Sequence, residues 1–131
     1  MADAKPKILI VDDEKQFGEM IKINLETEGD FEVCVETLGK QALVTARRFN
    51  PDLILLDIIM PDKSGYDVAR DFSLDSVLCA KPFIYLTALS QPEVLLRESE
   101  RINVSYLAKP VSREGLLEAI RMKMGDAPGG G

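Results

Sequence analysis

Five short apolar runs alternate with amphipathic segments along the chain, and that alternation constrains the fold more than any other feature. "KILIV" (7–11), "FEVCVE" (31–36), "DLILLD" (52–57), "PFIYLT" (82–87) and "VSYLAK" (104–109) read as strands. A helical pattern follows each one. The first places Phe17, Met20, Ile21 and Leu25 on one face, with Gly29 as its stop. The second carries Ala42, Leu43 and Ala46, and the third begins near Gly65 with Val68, Ala69 and Phe72 inward. The fourth is shorter and more polar, with Pro92 suited to its first turn. In the last, Ser112 is the N-cap and Leu116, Leu117 and Ile120 form the apolar stripe.

Strict strand–helix alternation predicts an α/β fold, a doubly wound five-stranded parallel sheet with helices on both faces. "KILIV", "DLILLD" and "PFIYLT" have few polar interruptions and suit central strands buried on both sides, whereas "FEVCVE" alternates and suits an edge. The strand order 2-1-3-4-5, flavodoxin-like (βα)5, follows. Its topological switch point lies between strands 1 and 3, and ligands of such sheets bind there at the carboxyl ends of the strands. Strand 1 ends in Asp12 and Asp13, strand 3 in Asp57, strand 4 in Thr87 and strand 5 in Lys109. Every special polar residue is delivered to one edge of the sheet.

The absence of histidine removes Ser-His-Asp and Cys-His catalysis and histidine metal ligation. Two scattered cysteines, Cys34 and Cys79, make neither a metal knuckle nor a disulfide framework, and Cys34 is expected to be a buried free thiol. The net charge of −6 disfavours direct binding to nucleic acid or an anionic membrane surface. No apolar run approaches a membrane span of about 20 residues, and "MADAKPK" lacks the apolar core of a signal peptide, so a cytoplasmic location is expected. The 131 residues suit one domain, 5–124, with "GDAPGGG" a flexible tail or the start of a linker over 125–131.

Three carboxylates in one crevice repel: two charges about 4 Å apart cost on the order of 4 kcal/mol at an effective dielectric of ~20. A proton or a cation must offset this. Oxygen donors without nearby His or Cys suit a hard divalent ion, and Mg2+ suits best because it needs few protein ligands and works beside phosphate. Mg2+, an ammonium at Lys109 and a hydroxyl at Thr87 would match the three equatorial oxygens of a phosphoryl group. The nucleophile is then a carboxylate, and Asp57, on the most buried strand, is the better candidate. Each residue also has a plainer use. Asp12 and Asp13 could cap the first helix, Asp57 could start a turn, Lys109 could be a solvated charge, and Thr87 and Tyr106 could be ordinary strand residues. Their joint arrangement carries the functional reading.

"ILIVDDE", "PDLILLDIIMPDKSG", "YLTA" and "YLAKP" together resemble the receiver domain of two-component response regulators, the family of the chemotaxis response regulator, in order and spacing over residues 5–124. The resemblance implies that Asp57 accepts a phosphoryl group from a histidine on a separate kinase or phosphotransfer protein. It implies Mg2+ on Asp13, Asp57 and the backbone carbonyl of Ile59, with Asp12 acting mostly through metal-bound water. Thr87 and Lys109 would bind phosphoryl oxygens, and Tyr106 would turn inward on activation. The resemblance implies a cis Lys109–Pro110 bond, whereas Pro61 and Gly65 read on their own as structural residues that shape the loop and open the third helix. The signalling face would be the helix after strand 4, strand 5 and the last helix, read by an output domain or downstream protein. Such a module catalyses only its own phosphorylation and dephosphorylation.

The chain departs from that family around "RINVSY" and the charged "LLRESER". The apolar pair Ile59 and Leu89 beside the site predicts a long-lived acylphosphate, since neither side chain orients an attacking water. Two other readings remain at this point. One is a phosphatase of the haloacid-dehalogenase type, for which Ile59 stands where a second acid belongs. The other is a receiver-like docking module that is never phosphorylated.

Overall fold

The computed structural model describes residues 5–27, 29–88 and 106–124. The strands are β1 (Lys7–Val11), β2 (Glu32–Glu36), β3 (Leu53–Asp57), β4 (Phe83–Thr87) and β5 (Tyr106–Ala108). They form one parallel sheet in the order β2-β1-β3-β4-β5, as the apolar pattern predicts. The helices among the described residues are α1 (Lys15–Glu26), α2 (Ala42–Phe49), α3 (Gly65–Ser73) and α4 (Arg113–Lys123), with short 3-10 turns at Gly39–Gln41 and Leu78–Ala80. The expected helix with Pro92, Leu89, most of "RINVSY" and the tail 125–131 lie outside the described residues.

Alternation within the strands builds two cores. Leu9, Val11, Ile54, Leu56 and Tyr85 face α2 and α3, where Ala42, Ala46, Val68 and Phe72 close the layer. Ile8, Ile10, Leu53, Leu55, Ile84 and Leu86 face α1 and α4, against Ile21, Leu25, Leu116 and Ile120. All five residues of β3 are buried, so a side chain at its end has little freedom to wander.

Two packing expectations need correction. Met20 is exposed, because the inner face of α1 runs through Gly18, Ile21 and Leu25. Gly18 takes the inner place where the helix meets the sheet: a Cβ there would lie 2.7 Å from a Val35 methyl. Cys34 is a free thiol but only half-buried, in keeping with its place on an edge strand. Other local signals hold. The Ser112 hydroxyl accepts from the Gly115 N–H at 3.0 Å, capping α4, and Gly29 takes positive φ just beyond α1.

Candidate functional site at the carboxyl ends of the strands

Backbone pairing continues past each strand and fixes the residues that follow. The Asp12 N–H donates to the Glu36 carbonyl at 3.0 Å, the Ile58 N–H to Leu86 at 3.1 Å, and the Lys109 N–H to Thr87 at 2.8 Å. These bonds hold Asp12, the chain after Asp57, and Lys109 side by side at one edge. Carboxylate oxygens of Asp12, Asp13 and Asp57 all lie within 4.8 Å of one another. Asp12 and Asp57 are buried and Asp13 is exposed, so the cluster opens on one side only.

The opening is a crevice of about 230 Å3 lined by Asp13, Glu14, Asp57, Ile59, Thr87, Ala88 and Lys109. Asp12 lies fully buried behind it. The loop from Ile58 to Ser64 leaves the crevice through Pro61, which is exposed, and turns back where the Gly65 N–H donates to the Ile58 carbonyl at 2.7 Å. Ser64 then caps α3 by accepting from the Tyr66 N–H. A carboxylate at Asp62 accepts from the backbone of Gly39 at 3.1 Å and Lys40 at 2.9 Å, tying this loop to the one before α2.

Lys109 supplies the positive charge. Its ammonium is 2.8 Å from Glu14 Oε1, 2.9 Å from Asp12 Oδ2 and 3.8 Å from Asp57 Oδ1. It also sits 4.4 Å from the centre of the Phe17 ring, a cation–π distance. The Lys109–Pro110 peptide is cis, as the resemblance implies, and Pro110 itself is exposed.

One cation does not balance this cluster. Burial pushes Asp57 up to about 7, the charges of Asp12 and Asp13 push the same way, and only Lys109 opposes them. Burial raises Asp12 as well, against hydrogen bonds from Lys109 and the Glu14 backbone. Burial alone would depress Lys109, but the carboxylates of Glu14, Asp12 and Asp57 hold its ammonium above the ordinary lysine range. Such a site takes up a proton or a cation at neutral pH. Its donors are oxygens, two of them buried and one facing the opening, which suits a hard divalent ion that keeps part of its water.

The capping alternative for the acid pair needs correction. Neither Asp12 nor Asp13 occupies the N-cap of α1; Glu14 does, and its side chain makes no cap bond. Asp12 Oδ1 instead accepts from the Glu14 N–H at 2.8 Å, a turn just ahead of the helix. Thr87 is buried at the end of β4 with its residue on the crevice wall. Tyr106 is half-buried away from the crevice, opposite Tyr85 in the β4–β5 ladder with ring centres 5.6 Å apart. Glu14 is not among the residues the sequence places at the site, and Phe17 is expected only as part of the apolar face of the first helix. The third acid of "DDE" is the signal for Glu14, whereas nothing in the apolar pattern marks Phe17 as a lysine partner.

Residues 8–121 match the family described as the response regulator receiver domain. The DNA-binding response regulator MtrA of Mycolicibacterium smegmatis is 34% identical over 124 residues, which are 95% of this chain and 53% of that protein. The DNA-binding dual master transcriptional regulator RpaA of Synechocystis is 34% identical over 117 residues, 88% of this chain and 48% of that protein. The chain thus spans about half the length of these curated relatives. Among solved structures, the chemotaxis protein CheY4 of Vibrio cholerae superposes with a TM-score of 0.81 at 28% identity, covering 92% of this chain and 99% of that one. A CheY-like receiver domain from Methanospirillum hungatei superposes with a TM-score of 0.80 at 26% identity, covering 98% of this chain and all of that one. The chain belongs to the response regulator receiver domain family.

Proposed function

We propose that Asp57 is the phosphoacceptor of a phosphorylation-dependent signalling module. The observation that carries this reading is the meeting of three carboxylates within 4.8 Å beside an ammonium 3.8 Å from Asp57. Mg2+ would be held by Asp13, Asp57 and the Ile59 carbonyl, with Asp12 acting through a metal-bound water. When bound, it would neutralise the acids and draw charge from one phosphoryl oxygen.

The remaining chemistry falls to the chain. Asp57, held on a buried strand, attacks phosphorus with an oxygen lone pair. The bond between phosphorus and the donor histidine nitrogen breaks, and its electron pair leaves with the imidazole. Lys109 and Thr87 bind the other two phosphoryl oxygens. Desolvation of the crevice strengthens these contacts. Tyr106 is the switch, coupling Thr87 to a signalling face of β5, α4 and the segment between β4 and β5.

The donor is a histidine on a separate kinase or phosphotransfer protein, since this chain has none. The named relatives are described as DNA-binding, and we assign any such contact to an output domain beyond the receiver, given this chain's charge of −6. Among the described residues no helix is long and apolar enough to cross a membrane. The phosphatase and docking-module readings receive no support from the relatives.

Incubation with Mg2+ and acetyl phosphate tests the proposal by intact mass. Wild type should gain one phosphoryl group and Asp57→Asn none. Absence of any gain, or equal gain by the variant, would overturn it.

A further inference from the structure

Lys109 is closer to Glu14 than to Asp57. The ammonium lies 2.8 Å from Glu14 and 3.8 Å from Asp57, with the Phe17 ring beneath it at 4.4 Å. Asp12 makes the other close pair, at 2.9 Å, but belongs to the acid cluster itself. Glu14 stands outside that cluster, on the rim, with a side chain 63% exposed against 11% for Lys109.

The local backbone explains why the carboxylate is available. Glu14 is the N-cap residue of α1, with φ −85° and ψ 95°, a position where a short Asp, Asn or Ser folds back onto the helix N–H groups. Glutamate is one methylene longer than aspartate, and here it makes no cap bond. Its N–H is fixed on Asp12 Oδ1, so its side chain projects over the crevice towards Lys109.

We infer that Glu14 is a placeholder anion: it occupies Lys109 in the unphosphorylated domain and must give the lysine up when a phosphoryl group arrives. It is a positioning residue, acting on the reaction through Lys109, and this inference rests on Asp57 being the phosphoacceptor. Binding of the phosphoryl oxygens then competes with an existing ion pair, so Glu14 slows phosphoryl acceptance. The residue at the N-cap of α1 thereby tunes how readily the site loads.

Two substitutions separate this role from simple charge repulsion of an anionic donor. Glu14→Gln removes the charge. Glu14→Asp keeps it but withdraws the carboxylate by one C–C bond, about 1.5 Å, and returns it to the capping geometry aspartate prefers. The measurement is the rate of phosphoryl gain from acetyl phosphate at saturating Mg2+, read by intact mass, beside the thermal midpoint of each protein.

If Glu14 is a placeholder, both variants load about 1.5- to fivefold faster than wild type, the range an ion pair of this exposure supports. Glu14→Asp does so without a lower thermal midpoint. A Glu14→Asp rate equal to wild type with a faster Glu14→Gln means plain repulsion and overturns the inference, as do two variants at or below the wild-type rate. In each of those cases wild type still loads at Asp57, so the functional reading survives. Failure of wild type itself to load removes that reading and this inference together.

Discussion

A Cβ placed on Gly65 would stand 2.1 Å from the carbonyl oxygen of Asp57 and 2.8 Å from the Cα of Ile58. Both neighbours are backbone, so no side-chain rotation relieves the overlap. The first turn of α3 is seated directly on the end of β3, and the absence of a side chain at Gly65 is what lets the loop close there.

Gly65→Ala therefore forces the loop and the end of β3 apart. We expect a loss of about 3 kcal/mol, the upper part of the range for overpacking because the obstacle is backbone. Phosphoryl gain at Asp57 should fall with it, because the carboxylate moves relative to Lys109. Urea unfolding of the variant checks the first effect. A midpoint equal to wild type would mean the close approach is not required.

The acid cluster predicts a pH-dependent stability with a definite sign. Asp57 sits at about 7 in the folded protein, chiefly through burial, against an ordinary carboxylate value of 3.8. The folded state thus holds a proton more tightly than the unfolded chain. Without metal, stability contributed here is greatest below pH ~4 and is lost as pH rises towards 7. Asp57→Asn removes that loss, so in chelator it should stabilise the protein by on the order of 2–4 kcal/mol at pH 8 and by somewhat under half of that at pH 5. Mg2+ should narrow the pH 8 difference by neutralising the wild-type cluster. An equal gain at pH 5 and pH 8 would show that the carboxylate is not strained by burial.

The sheet order and the positions of Asp12, Asp13, Asp57, Thr87 and Lys109 follow from apolar runs that end in polar residues, because strand periodicity fixes both burial and the exit point. Side-chain direction beyond the strands does not follow. Met20 satisfies the helical spacing yet is exposed, since Gly18 brings α1 against Val35 and rotates the buried face. Glu14 and Phe17 reach Lys109 from the start of α1, 95 and 92 positions away in the chain, and no local pattern couples residues so far apart. The hydrogen bonds from the Gly39 and Lys40 backbone to Asp62 are hidden for the same reason.

That last tie makes Asp62 a support for the site although it is not part of it. Bonding from the Lys40 N–H, helped by that of Gly39, holds its carboxyl below the ordinary range. The loop it anchors carries Ile59, whose carbonyl we assign to the metal. Asp62→Ala should weaken Mg2+ binding by about tenfold, the low end of what losses of supporting hydrogen bonds around metal sites cost. Tryptophan is absent, so calorimetric titration is the suitable measurement. Unchanged Mg2+ affinity would leave Asp62 as a loop tie with no bearing on the site.

Ile59 lines the crevice and is 64% exposed. An exposed isoleucine at the mouth of a polar site gains little from burial and offers no hydrogen bond to water. Hydrolysis of an Asp57 acylphosphate needs a water aimed at phosphorus, and this chain supplies no polar side chain at position 59 to aim it. The phosphorylated protein should therefore persist for many minutes or longer. Ile59→Asn adds a donor and an acceptor at the crevice wall and should shorten the half-life by about tenfold. Loss of phosphoryl mass after removal of the donor gives both numbers. A wild-type lifetime of seconds, or an Ile59→Asn lifetime equal to wild type, would show that water is positioned by other groups.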